Sequence, residues 1–103
     1  MLVALTVRKL RPGAYEEFRR AWQPTGDKYP DGFQRAFHVR SLRDPDEVIS
    51  FGFVDRDPSG VEEVRASVAD VEVERQAAMA RHVEAVLVDG VYEVVEEVVP
   101  AAR

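Results

Sequence analysis

Met1-Leu-Val-Ala-Leu-Thr-Val7 and Val48-Ile-Ser-Phe-Gly-Phe-Val54 decide the fold of this chain. Each carries apolar or small side chains at nearly every position rather than at alternate ones. A strand presents successive side chains to opposite faces, so runs of this kind need cover above and below. Two further strand-like runs stand at Phe33 to Val39 and Val91 to Val99. The sequence between the four runs supplies helices for one face of a sheet only. A second copy of the same chain is the simplest cover for the other.

The chain has 103 residues, one domain's worth, with a modest core. A hydrophobic content of 46% beside 32% charge suits a folded protein rather than a disordered one. The net charge of −5 argues against a nucleic-acid backbone or an anionic membrane as the main partner. There is no cysteine, which removes disulfide scaffolds, thiolate nucleophiles and cysteine-based metal sites together. No segment approaches the roughly 20 apolar residues of a membrane span, and no signal stretch precedes the first strand. The expectation is a cytoplasmic protein with no membrane and no nucleic-acid partner.

Outward from the first strand, Arg11-Pro12-Gly13 marks a turn. Ala14 to Trp22 predicts a helix with Tyr15, Phe18 and Trp22 on one stripe. Gln23 to Gly32 contains Pro24, Gly26, Pro30 and Gly32 and reads as a long loop. In the second strand Phe33, Phe37 and Val39 share one side, and Gln34, His38 and Arg40 the other. Arg43-Asp-Pro-Asp-Glu47 turns it into an antiparallel hairpin with the third. Ser59 with Glu62 resembles a capping box for a short helix bearing Val61, Val64 and Val68. A longer helix follows, with Ala78, Met79, His82, Val83 and Val86 on one stripe, and Asp89-Gly90 closes it before the last strand. The order is β-α-β-β-α-β, the ferredoxin-like α+β pattern with a four-stranded antiparallel sheet. Helices on one side leave the other sheet face bare and apolar, beyond what a soluble monomer tolerates, and two sheets face to face remove the exposure.

Length, element order, Arg11-Pro-Gly-Ala-Tyr-Glu-Glu-Phe18, the Pro30-Asp-Gly-Phe33 entry to the second strand and the Val-rich end resemble the dimeric α/β-barrel proteins. Within them the chain is most similar to antibiotic biosynthesis monooxygenase-like domains. The resemblance implies a homodimer, or a larger homo-oligomer, whose sheets close a barrel, with a small-molecule pocket between sheet and helices in each subunit. It implies a cofactor-independent monooxygenase or related enzyme acting on an aromatic or phenolic substrate. A non-catalytic binding or accessory protein is the alternative, and a haem-binding member a further one. The oxygenase branches use asparagine and tryptophan near the middle helix. This chain has no asparagine, and Thr6 stands where the first-strand asparagine would be.

Chemically able residues are few. His82 is the candidate base or haem ligand, since imidazole titrates near neutrality and binds iron. Arg40 is the candidate anion stabiliser, with Arg35 as its substitute. Trp22, His38, Tyr92 and Thr6 are the candidate substrate contacts. Each has a plainer role open to it: His82 at the core's edge, His38 on an interface or solvated face, Trp22 in the core and Tyr92 at a subunit boundary. No spacing of His, Asp or Glu suits a metal, and no Gly-rich phosphate loop or Ser-His-Asp arrangement is present. The expectation is no metal and no cofactor.

Overall fold

The structure, a computed structural model, describes residues 1–101. Strand β1 (Leu2–Leu10) leads to helix α1 (Tyr15–Trp22), and β2 (Phe33–Arg40) pairs with β3 (Glu47–Val54). Helices α2 (Val61–Ser67) and α3 (Ala69–Ala80) meet at Val68, and β4 (Val83–Glu93) completes the sheet. All pairings are antiparallel, in the order β2-β3-β1-β4. This is the ferredoxin-like α+β fold expected from the sequence.

The register sorts the side chains by face. Across the helix-facing side run the rows Ala36–Gly52–Ala4–Val91, His38–Ser50–Thr6–Asp89 and Arg40–Val48–Arg8–Val86. Across the other face run Arg35–Phe53–Val3–Tyr92, Phe37–Phe51–Leu5–Gly90 and Val39–Ile49–Val7–Val88. The second set is almost wholly apolar, and its Phe37, Phe51 and Phe53 rings cluster with centroids 5.3 to 6.5 Å apart. Among the described residues no element lies over it, and Phe37 keeps 42% of its surface exposed.

The most deeply buried cluster lies at one end of the sheet, while Leu2, Val54 and Val68 are buried at the other. Leu10, Phe18, Val48 and Met79 are fully buried together, with Tyr15, Ala21, Trp22 and Val83 packed around them. Toward the opposite end the helix-facing rows carry small residues (Ala4, Ala36, Gly52, Ser50, Thr6). Helices α2 and α3 cannot close down on these, and a cavity remains.

Four sequence expectations are corrected. The last strand is not Val91 to Val99 but Val83–Glu93, and Asp89-Gly90 lies inside it opposite Thr6 and Leu5. The β-branched run Val86-Leu-Val88 and the open edge of β1 outweigh the turn preference of that dipeptide. A Cβ at Gly90 would stand 2.9 Å from the Tyr92 hydroxyl, so this glycine makes room for the ring of Tyr92, two residues along the same strand, instead of making a turn. Beyond Glu93 the chain runs without strand pairing; Val94 N–H donates to Met1 O at 3.0 Å, and Val95 is 87% exposed. The long helix accordingly ends at Ala80, and Val83 and Val86 are strand residues. The third correction is Phe33. A register shift between Phe33 and Arg35 leaves Gln34 unpaired and places Phe33 opposite Val54, on the helix side, away from Phe37 and Val39. Capping also differs: Asp57, not Ser59, accepts the first backbone donor, from Ser59 N at 2.9 Å.

Candidate functional site

Between the sheet and helices α2 and α3 lies a cavity of about 540 Å³. Ala4, Thr6, Ser50 and Gly52 form its floor, Val61, Val64 and Val68 its roof, and Trp22, Tyr29 and Phe33 one wall. Tyr29 and Phe33 stack at 4.5 Å with planes 12° apart. Tyr29 belongs to the long loop after α1, so that loop builds the pocket. Small residues on the strands and valines at helical spacing on α2 make a mostly apolar enclosure with few polar groups, as in small-molecule sites generally.

Those polar groups are specific. Ser50 is buried, and its Oγ lies 2.8 Å from Nδ1 of His38 on the neighbouring strand. The imidazole is closed in by aromatic rings edge-on: Trp22 at 4.6 Å, Phe18 at 5.8 Å and Tyr15 at 6.3 Å. Burial pushes the His38 pKa below 6.5, and the positive charges of Arg8, Arg19 and Arg75 push in the same direction. His38 is therefore neutral at pH 7, with Ser50 as its polar link to the cavity.

Two guanidinium groups also line the cavity, Arg8 from β1 and Arg75 from α3. Arg8 is only 6% exposed, and its Nη1 is buried with no hydrogen-bond partner among the described residues. No ion pair joins Arg8 to a described carboxylate. Nε of Arg75 is likewise buried and unpartnered, and Glu72 approaches its Nη2 only to 3.7 Å. Each guanidinium sits over an aromatic ring, Arg8 over Phe18 at 5.2 Å and Arg75 over Trp22 at 5.0 Å. Burial lowers the pKa of both, and Arg75 adds to the lowering at Arg8.

The sequence candidates divide. Thr6 and Trp22 line the cavity, and His38 stands directly behind Trp22 and Ser50. Tyr92 lies opposite Val3 on the bare sheet face, 48% exposed. Arg40 faces the helices at the core end, its guanidinium over Tyr15 at 5.1 Å, and does not line the cavity. Arg35 is on the bare face, over Phe37 and Phe53. His82 is in the turn between α3 and β4, not on a helix stripe; its N–H donates to Met79 O and its carbonyl accepts from Arg11 N, each at 2.9 Å. Among the described residues no histidine lines the cavity. Nor is any group of three His, Asp or Glu side chains placed to hold a metal ion. Arg8, Ser50 and Arg75 were missed. Arg8 falls on the even positions of β1 with Leu2, Ala4, Thr6 and Leu10, and Arg75 falls seven residues after Val68 and four before Met79. Both periods place them inward.

No family model matches the chain, and no curated protein does. Solved structures do. A protein of Chloroflexus aurantiacus provisionally named an antibiotic biosynthesis monooxygenase superposes with a TM-score of 0.66 at 15% identity, over 93% of this chain and 94% of its own. A second so named, from Nitrosomonas europaea, gives 0.66 at 13% identity over 93% and 100%. An uncharacterised NIPSNAP domain protein of Burkholderia xenovorans gives 0.60 at 20% identity over 99% and 96%. The fold is thus the ferredoxin-like one that these three solved structures share.

Proposed function

We propose that the cavity binds a phenolic small molecule and that the chain, as a homodimer, oxidises it with dioxygen in the manner of a cofactor-independent monooxygenase. The observation that carries this reading is the His38–Ser50 pair at 2.8 Å, a neutral base linked to the pocket through one hydroxyl. The substrate hydroxyl passes its proton to Ser50 Oγ as Ser50 passes its own to Nδ1 of His38. The phenolate, an electron-rich anion held away from water, then reduces O₂. One oxygen atom enters the ring and the other leaves as water, whose two hydrogens are the one displaced from the ring carbon and the phenolic proton returned from His38. Trp22, Tyr29 and Phe33 hold the ring flat, and Thr6 offers a further hydroxyl on the floor. The homodimer reading is supported by the bare face of β1 and β3, whose phenylalanine cluster another copy would cover.

Oxygen-electrode assays with dihydroxynaphthalenes test the reaction. The expected result is one O₂ consumed per quinone formed, with turnover reduced about 100-fold or more in Ser50→Ala and His38→Gln. Turnover in both variants equal to that of the wild type contradicts the mechanism. A non-catalytic binding role is the second reading, favoured by the absence of asparagine from the chain. Saturable binding without oxygen uptake would establish it.

A further inference from the structure

We propose that the cavity is an anion site, and that its ligand is a flat aromatic carboxylate whose charged end lies between Arg8 and Arg75 while its ring lies among Trp22, Tyr29 and Phe33. This rests on the small-molecule reading of the cavity but not on any reaction there.

Arginine is hardly ever fully buried unless paired, because taking its charge out of water is costly. Arg8 is 94% buried by its 6% exposure, lines the cavity, and leaves Nη1 without a partner among the described residues. A solvent-filled surface would give such a group water, and a structural role would give it a carboxylate. Arg75 repeats the pattern on the facing helix with its unpartnered Nε. Two like charges brought to one cavity repel, as the lowering of Arg8's basicity by Arg75 reflects. An anion between them relieves both the repulsion and the missing hydrogen bonds.

The carboxylates nearby do not fill this role. Glu72 accepts from Gln76 Nε2 at 2.7 Å and reaches Arg75 only at 3.7 Å. Asp89 lines the cavity from β4 but is exposed and forms no ion pair with Arg8. Arg65, also on the lining, is taken by Glu62 at 3.2 Å. A carboxylate is favoured as the charged end because guanidinium presents parallel donors that match its two oxygens. The apolar roof and stacked rings favour an aromatic body.

Isothermal titration calorimetry with 2-naphthoate and its neutral amide, 2-naphthamide, tests the proposal on the intact chain. The acid is expected to bind at least about tenfold more tightly than the amide, and the preference to shrink at high salt. Arg8→Met and Arg75→Gln are each expected to weaken the acid by at least about tenfold and to leave the amide unchanged. Arg8→Lys, which keeps the charge but loses the fork, is expected to fall between, and circular dichroism confirms that each variant is folded. Equal affinity for acid and amide, acid binding unaltered in the folded variants, or no binding of either compound overturns the proposal. Acid-selective binding without oxygen uptake from any phenol would remove the monooxygenase reading and leave the anion site standing.

Discussion

Replacing Arg8 by methionine is expected to stabilise the ligand-free protein, which is the reverse of what loss of a buried structural arginine would do. Methionine nearly matches the length of the arginine stem and leaves no donor unpaired. Exchanging a buried charge for a well-packed apolar side chain gains about 1–4 kcal/mol. Against this stands the loss of the cation–π contact with Phe18, whose ring centroid is 5.2 Å from the guanidinium carbon, worth about 0.5–2 kcal/mol. Repulsion from Arg75 also disappears, which favours the variant further. The balance is about 1 kcal/mol in favour of methionine, or a rise in Tm of about 4–8 °C for a domain of this size. The assay is thermal unfolding followed by circular dichroism, with and without 2-naphthoate. Wild type should gain about 2.7 kcal/mol from ligand at a hundred times its Kd, and Arg8→Met, with affinity weakened at least about tenfold, about 1.4 kcal/mol or less at the same concentration. A Tm below wild type without ligand, with no difference between the two in ligand response, refutes the reasoning: Arg8 would then be held by an internal partner such as a repositioned Asp89.

Three other predictions follow from the same geometry. The folded-state pKa of His38 lies below its ordinary 6.5, so the unfolded chain takes up the proton first as pH falls. Stability contributed by neutral His38 is thus full above about pH 6.5 and declines below it down to the folded-state pKa, and His38→Gln should flatten the urea midpoint over that range. On the bare face, Phe51→Glu puts a charge into the ring cluster with Phe37 and Phe53; sedimentation should find a dimer for the wild type and a folded monomer for the variant, whereas a wild-type monomer or an undisturbed variant dimer would count against sheet-to-sheet pairing. Phe18 is fully buried beneath Arg8, so Phe18→Ala should cost about 3–5 kcal/mol by urea unfolding, and a loss under about 1 kcal/mol would mean the core lies elsewhere.

Strand β1, helix α1 and the β2–β3 hairpin were legible because their side chains keep a clear period and their turns are marked by proline, glycine and aspartate. The need to cover both faces of β1 and β3 was legible for the same reason. The last third was harder. Asp89-Gly90 has the composition of a turn, and only the open edge of β1 and the ring of Tyr92 make it strand. Misplacing β4 carried His82 onto a helix stripe that ends two residues before it. Phe33 was assigned to the wrong face because a single unpaired residue, Gln34, reverses the alternation, and no pattern in the sequence announces that bulge.

The site was partly legible. Thr6, Trp22 and His38 were all candidate substrate contacts, and the first two line the cavity with His38 behind it, but Arg8 was not singled out. Charge at a strand terminus ordinarily means water, and only the crossing of α3 over that end shows that it is enclosed. Arg75 was hidden by Glu72 and Glu74, which make its helix look uniformly solvated. Ser50 carried no signal until the hairpin register set it opposite His38.

The most direct test of the account is NMR of protein labelled with ¹⁵N-arginine, following the side-chain Nε–H signals as 2-naphthoate is added. The account predicts that the Arg8 and Arg75 signals move together and saturate at one equivalent per chain, while Arg40 and Arg35 stay still and 2-naphthamide leaves both pocket signals in place. If the acid moves the exposed arginines as much as Arg8 and Arg75, or moves none, the cavity is not the anion-binding small-molecule site described here.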